Sequence, residues 1–237
     1  MQLDNIEDLI NSDIRLQKSD HTYILESKPT ISFCNVTTLV GNQFPPFERE
    51  KLAGWLVNSS YKYMDYTLEE LLQEWEDIKD EGSAIHEELE NYILTGEIPT
   101  FPKAISGMNW FDQELEFFGD KVFPEVIVFS EELRIAGTLD LLVYNSTNDE
   151  CNIFDWKTSK KIDRNGRKQA ITRAGAGLTD CRFDLYSLQL SMYSHLLENY
   201  HDIKITNRYL VQLTETDANC IESKNLDHNV RLIFENL

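Results

Sequence analysis

The segment GTLDLLVYNSTNDECNIFDWKTSKK, Gly137 to Lys161, constrains the fold more than any other part of the chain. Two apolar runs flank a polar centre, a pattern that reads as an antiparallel hairpin. Yet Asp140, Asp155 and Lys157 fall inside the strands. Aspartate is depleted in strands, and a carboxylate taken out of water is costly unless paired. A turn centred on 145–150 makes Tyr144 face Cys151 and Asp140 face Asp155, with opposed Cβ atoms roughly 4.5–5.5 Å apart. Alternation then collects Leu139, Leu141, Val143, Phe154 and Trp156 on one face and Asp140, Asp155 and Lys157 on the other. A slip of one residue would scatter that second group. Two close carboxylates repel unless a cation sits between them. Lysine supplies one charge and a divalent ion supplies more, with Mg²⁺ favouring carboxylate, water and phosphate oxygens.

Around this hairpin the periodicity predicts an α–β–β–β–α–β order, hence a mixed sheet with helices on its faces. Residues 20–40 read as a short hairpin turning near Ser27–Pro29, and a helix is expected from near Pro46. The TLEE pattern at Thr67 predicts a capping box, with a helix running to about Leu94 along the stripe Leu68, Leu71, Trp75, Ile78, Gly82, Ile85, Leu89 and Tyr92. Residues 110–123 read as another helix, followed by strands at 124–130, 133–144 and 151–157. A basic insertion at 158–178, a helix at 183–200 and a strand at 205–214 complete the core, and the tail is ambiguous. The expected organisation is one domain over 1–237: an N-terminal extension (1–66), a core (67–214) and a tail (215–237).

The net charge of -19 argues against nucleic acid as a partner of the surface at large. Its distribution says otherwise. Seven bases (Lys157, Lys160, Lys161, Arg164, Arg167, Lys168, Arg173) and one acid, Asp163, give 157–173 a local balance of +6. No apolar run approaches the roughly 18–20 residues of a membrane span. Four widely spaced cysteines without a CxxC, and no basic, apolar start to the chain, lead to an expected intracellular, cytoplasmic location.

GSAIHEELE, GTLD, DWKT and QLSMY, in that order along the chain, resemble the motifs of the RecB-like branch of the PD-(D/E)XK nuclease superfamily and follow its order. The similarity spans 82–97 and 122–200, about two fifths of the chain. Leu139 stands where the family name has proline. The resemblance implies a restriction-endonuclease-like αβββαβ core, an α+β mixed sheet with helices on both faces. It implies Mg²⁺- or Mn²⁺-dependent hydrolysis of DNA phosphodiesters, more from ends than internally, in recombination, repair or replication. Asp140, Asp155, the Trp156 carbonyl and His86 would hold the metal. Lys157 would orient the attacking water, and Glu125 would be a further ligand or hold a metal-bound water. Gln189 and Tyr193, four apart on one helix face, would lie beside the centre. Thr158, Lys160, Lys161, Arg164, Arg167, Lys168 and Arg173 would grip the backbone of DNA ends or single strands.

Relatives that carry an iron–sulfur cluster have three cysteines grouped near the C-terminus. Cys181 and Cys220 are isolated here, so no such cluster is expected. Two alternatives remain beside the autonomous enzyme: a nuclease subunit of a larger assembly, docked through the acidic surface, and a non-catalytic DNA-binding protein on the same fold. The chain lacks the GxxxxGK[ST] phosphate loop, so it has no ATPase of that kind.

Overall fold

The computed structural model describes residues 2–237. In chain order its elements are α1 (Gln2–Ile10), β1 (Ile14–Gln17), β2 (Thr22–Leu25), β3 (Cys34–Asn35), α2 (Val36–Gly41), α3 (Arg49–Ser59), α4 (Leu68–Thr95), α5 (Pro102–Glu114), β4 (Lys121–Ser130), β5 (Ile135–Asn145), β6 (Glu150–Lys157), α6 (Arg182–Tyr200), β7 (Ile205–Leu213), β8 (Ala218–Glu222) and α7 (Asp227–Phe234). The architecture is mixed α/β. A six-stranded mixed sheet of β3–β8 carries helices on both faces, and β1 and β2 form a separate two-stranded hairpin.

The pairing of β5 positions everything that matters for the site. Along one edge β4 runs antiparallel to it from Ile135 to Tyr144. The other edge is shared: β3 pairs in parallel at Ile135 and Ala136, and β6 pairs antiparallel from Leu141 onward. Gly137 to Asp140 therefore lie in a gap between two partners. Beyond β6 the sheet continues with β7, parallel, and β8, antiparallel. Parallel neighbours need a crossover connection, and α6 supplies it between β6 and β7.

The register agrees with the sequence reading, since Tyr144 pairs with Cys151 and Leu141 with Phe154. The ladder ends one pair short of Asp140 and Asp155. There the Asp140 side chain replaces a backbone partner: its Oδ2 accepts the Trp156 N–H at 2.7 Å. Leu141, Val143, Phe154 and Trp156 enter the core beneath α4 and α5, against Ile85, Leu89 and Trp110. Leu139 departs from the expected face and joins the larger core beneath α6 with Val126 and Leu142. Alternation fails beside Asp140, where the β4–β5 pairing skips Glu125 and Asp140, and Glu125 has a φ of 50°, outside the strand region.

Helix α4 begins as the sequence predicts. Thr67 Oγ1 accepts from the Glu70 N–H at 3.1 Å, and Glu70 Oε2 accepts from the Thr67 N–H at 2.8 Å. Gly96, with φ 77°, closes it in the left-handed conformation that glycine adopts without penalty. Leu71, Ile85 and Leu89 are buried, but Ile78 is exposed. The first half of α4 packs on α3 rather than on the sheet, through Arg49, which bonds Glu76 at 2.9 Å and the Leu72 carbonyl at 2.6 Å.

Several boundaries differ from expectation. The N-terminal hairpin lies at Ile14–Leu25 and turns at 18–21, not near Ser27–Pro29. Its turn is tied locally: Thr22 Oγ1 donates to Asp20 Oδ1 at 2.8 Å, and Gln17 Nε2 to Ser19 Oγ at 3.2 Å. The helix expected from Pro46 starts at Arg49, because Pro45 and Pro46 hold the preceding backbone extended. The helix expected at 110–123 is displaced. α5 starts at Pro102, whose fixed φ suits a first helical turn, and β4 starts at Lys121. Between them Gly119 lies so close to β5 that an added Cβ would fall 2.5 Å from the Tyr144 carbonyl oxygen. The ambiguous tail is β8 and α7. Among the described residues no helix is long and apolar enough to cross a membrane.

Candidate active site

A cleft of about 540 Å³ opens at the gap in β5. Gly137 makes it possible for α6 to close one side: a Cβ there would stand 2.6 Å from Tyr193 Cε1. On the opposite side Gly82 brings α4 against the end of β6, and a Cβ there would meet Thr158 Oγ1 at 3.2 Å. One helical turn later His86 enters the cleft, with Nδ1 3.5 Å from Asp140 Oδ1. Glu125 reaches in from β4. The ligand atoms of His86, Glu125 and Asp140 all lie within 4.8 Å of one another, close enough for one ion to bridge.

Asp155 and Lys157 share this cleft but form a second group. The Lys157 ammonium pairs with Asp155 Oδ2 and lies 4.4 Å from the centroid of the Tyr186 ring. Despite that ion pair, Oδ2 is buried and accepts no well-directed hydrogen bond among the described residues. Asp155 Oδ1 accepts from Gln189 Nε2 at 3.4 Å, and the same amide donates to Tyr193 Oη at 3.1 Å. Gln189 and Tyr193 thus stand together on α6 beside the acids, as their spacing predicted. Trp156 contributes its backbone here, through the N–H held by Asp140, while its ring is packed edge-on to Trp110 in the other layer.

The electrostatics divide the acids. Burial pushes Glu125 up to about 8, with the charges of Asp140 and Glu90 adding to it. Burial likewise pushes Asp155 up to about 6 despite its lysine. Asp140 is held below the usual carboxylate range: burial opposes this, but His86, Lys157 and the Trp156 N–H outweigh it. His86 and Lys157 are both raised, because their acidic neighbours overcome a burial that would lower them. Tyr193 is raised well above its ordinary value by burial and stays a neutral phenol. One acid of the cleft, Glu125, therefore keeps its proton near neutrality.

The basic segment is placed differently. Of its members only Lys157 lines the cleft. Thr158 is half-buried against α4, whereas Lys160, Lys161, Arg164, Arg167, Lys168 and Arg173 are exposed on the loop that follows β6. That loop is anchored: Asp180 Oδ1 accepts the N–H groups of Arg167 and Lys168, and the Arg164 guanidinium lies 3.9 Å from the Phe183 ring centroid. Arg173 lines a different depression, with Leu39 and Ile233.

The sequence reading missed the N-terminal hairpin as a wall of this cleft. Lys18, His21 and Tyr23 line it. The signal was weak, since a four-residue strand pair carries no motif and its docking depends on β5, more than a hundred residues away. Tyr186 was missed as well, although its position three residues before Gln189 puts it on the same side of α6.

No family model matches the chain, and no curated protein matches it. A solved structure described as "Crystal structure of SSO0001" aligns over 98% of this chain and 80% of that one, at 15% identity and a TM-score of 0.39. That similarity is too low to define a shared fold.

Proposed function

We propose that the protein is a divalent-metal-dependent deoxyribonuclease on a restriction-endonuclease-like core of the RecB-like type. The observation that carries this reading is the convergence of His86, Glu125 and Asp140 donor atoms beside the Asp155–Lys157 pair in one cleft. The chain order α4–α5–β4–β5–β6–α6–β7, in which α5 is added between α4 and β4, supports the αβββαβ core.

The donor set fits Mg²⁺ or Mn²⁺. It consists of two carboxylates and an imidazole within bridging distance, in a site with a buried carboxylate oxygen lacking a well-directed hydrogen bond. His86, Glu125 and Asp140 would hold the ion, with Asp155 and the Trp156 carbonyl adjoining. When bound, the ion would stabilise charge on the phosphate and on the departing oxygen. The chain's own groups supply the rest. Lys157, kept charged by Asp155 and Asp140, offers a fixed ammonium to the negative phosphate. Tyr186 and Asp155 restrict where that ammonium can point. Gln189 bridges Asp155 and Tyr193 and so holds the carboxylate against α6. The exposed bases after β6 would take neighbouring backbone phosphates without reading bases.

The test is incubation of the purified protein with Mg²⁺ or Mn²⁺ and either linear or circular DNA. Loss of linear DNA alone identifies an exonuclease, and nicking of circles an endonuclease. Absence of any cleavage with both metals on DNA and RNA sinks the reading.

A further inference from the structure

The hairpin of β1 and β2 has one face in the cleft. Leu16 pairs with Tyr23 and Gln17 with Thr22, so Lys18 and His21 stand opposite each other at the turn. Leu16, Lys18, His21 and Tyr23 line the cleft, while Ser19 and Asp20 do not. The inner rung is an anchor. Tyr23 packs with Ile14 and Leu25 on Ala136 of β5, and its hydroxyl is 2.9 Å from Thr138 Oγ1. The outer rung, Lys18 and His21, is exposed and polar. It is nevertheless held in place, because Asn35 Nδ2 donates to the His21 carbonyl at 3.1 Å and His21 sits at φ 55°. A non-glycine residue in the left-handed region carries strain that the surroundings must support.

Among the described residues three lysine ammonium groups line the cleft, and two are occupied. Lys157 is neutralised by Asp155, and Lys79 by Glu76 at 2.6 Å. Lys18 forms no ion pair among the described residues, although Glu87, Glu90 and Glu125 line the same cleft. Its charge acts on Glu125 from a distance, opposing the upward shift of that carboxyl. Lys18 stands in the cleft opposite His21 at the turn, and the His21 imidazole meets the Tyr23 ring edge-on at 6.1 Å.

We infer that the Lys18–His21 rung seats a backbone phosphate of a single nucleic-acid strand, next to the phosphate that reacts, with the His21 ring against the adjoining base or sugar. The position of that seat relative to the chemistry rests on the nuclease reading. A cation for the phosphate and a ring for the nucleoside is the combination by which single strands are held without regard to sequence. The hairpin side of the cleft and the α4 side then act as two walls through which an extended strand passes.

The test is fluorescence anisotropy with a labelled oligothymidylate of about 20 nucleotides, in Ca²⁺, over a range of salt concentrations. Removing one phosphate contact to a single strand should lower the slope of log affinity against log salt by about 0.7. Lys18→Ala should show that loss together with weaker binding. Lys18→Arg should restore the slope, and Lys204→Ala, which removes an exposed lysine outside the cleft, should leave it unchanged. A wild-type slope in Lys18→Ala overturns the phosphate seat even if the protein cleaves DNA. Binding by the wild type in Ca²⁺ with no cleavage in either Mg²⁺ or Mn²⁺ sinks the nuclease reading while the slope still decides the rung. No binding by the wild type overturns both.

Discussion

Manganese affinity should climb with pH until about pH 8, and Glu125→Gln should flatten that climb. Burial holds the Glu125 carboxyl at about 8, against an ordinary value of 4.5, with Asp140 and Glu90 adding to the shift. An ion can use that oxygen only as the carboxylate, so below about pH 8 binding must expel one proton. Apparent affinity then gains about tenfold per pH unit, roughly 1.4 kcal/mol each. His86 is also raised above its ordinary 6.5 and must be neutral to ligate, so a second proton is expelled wherever the imidazole is charged. The metal-free protein shows the opposite trend. Folded Glu125 keeps a proton that the unfolded chain releases above about pH 4.5. Its contribution to stability is therefore fully present below that value and is lost as pH rises to about 8. Asp155, pushed to about 6, acts in the same direction over a lower window. Calorimetric titration with Mn²⁺ in two buffers of different ionisation enthalpy, from about pH 6 to pH 9, counts the protons directly. Glu125→Gln should release about one fewer at pH 7. Affinity independent of pH in the wild type, or an unchanged proton count in the variant, refutes the assignment of Glu125 to the ion.

Lys157→Met should abolish cleavage and, by leaving Asp155 buried without its partner, cost about 3–5 kcal/mol of stability; denaturant unfolding should show the double variant Asp155→Asn/Lys157→Met to be more stable than Lys157→Met alone, though equally inactive. Gly137→Ala should drive Tyr193 out of place, since the new Cβ would stand 2.6 Å from its ring, and lower stability by about 1–3 kcal/mol; a thermal melt no lower than wild type would show that α6 has room. Thr67→Ala should lose the capping box and about 1 kcal/mol in denaturant unfolding without changing metal affinity, because the N-terminus of α4 lies well before His86.

Much of the site could be read from local pattern. Asp155 and Lys157 are two apart on a strand, so alternation alone sets them on one face, and the length of the 145–150 turn sets the register that brings Asp140 alongside. Gln189 and Tyr193 are four apart on a helix and therefore point together. His86 follows Gly82 by one turn of a helix whose start is written in Thr67 and Glu70. These relations depend on the periods of strand and helix, which a short stretch of chain already contains.

The rest was decided where distant segments meet. The gap at Gly137–Asp140 exists because β3, two residues long and some hundred residues earlier, shares an edge of β5 with β6. Leu139, paired with Val126, changed sides next to Glu125, whose backbone leaves strand geometry. The six exposed bases after β6 looked like part of the site because they follow Lys157 in sequence, yet they lie outside the cleft. Lys18 and His21 lie within it through the docking of Tyr23 on Ala136 and Thr138. The sequence by itself determined which side chains share a face of one element. Which elements share a cleft is a matter of long-range packing and edge pairing, and that information is spread over the whole chain.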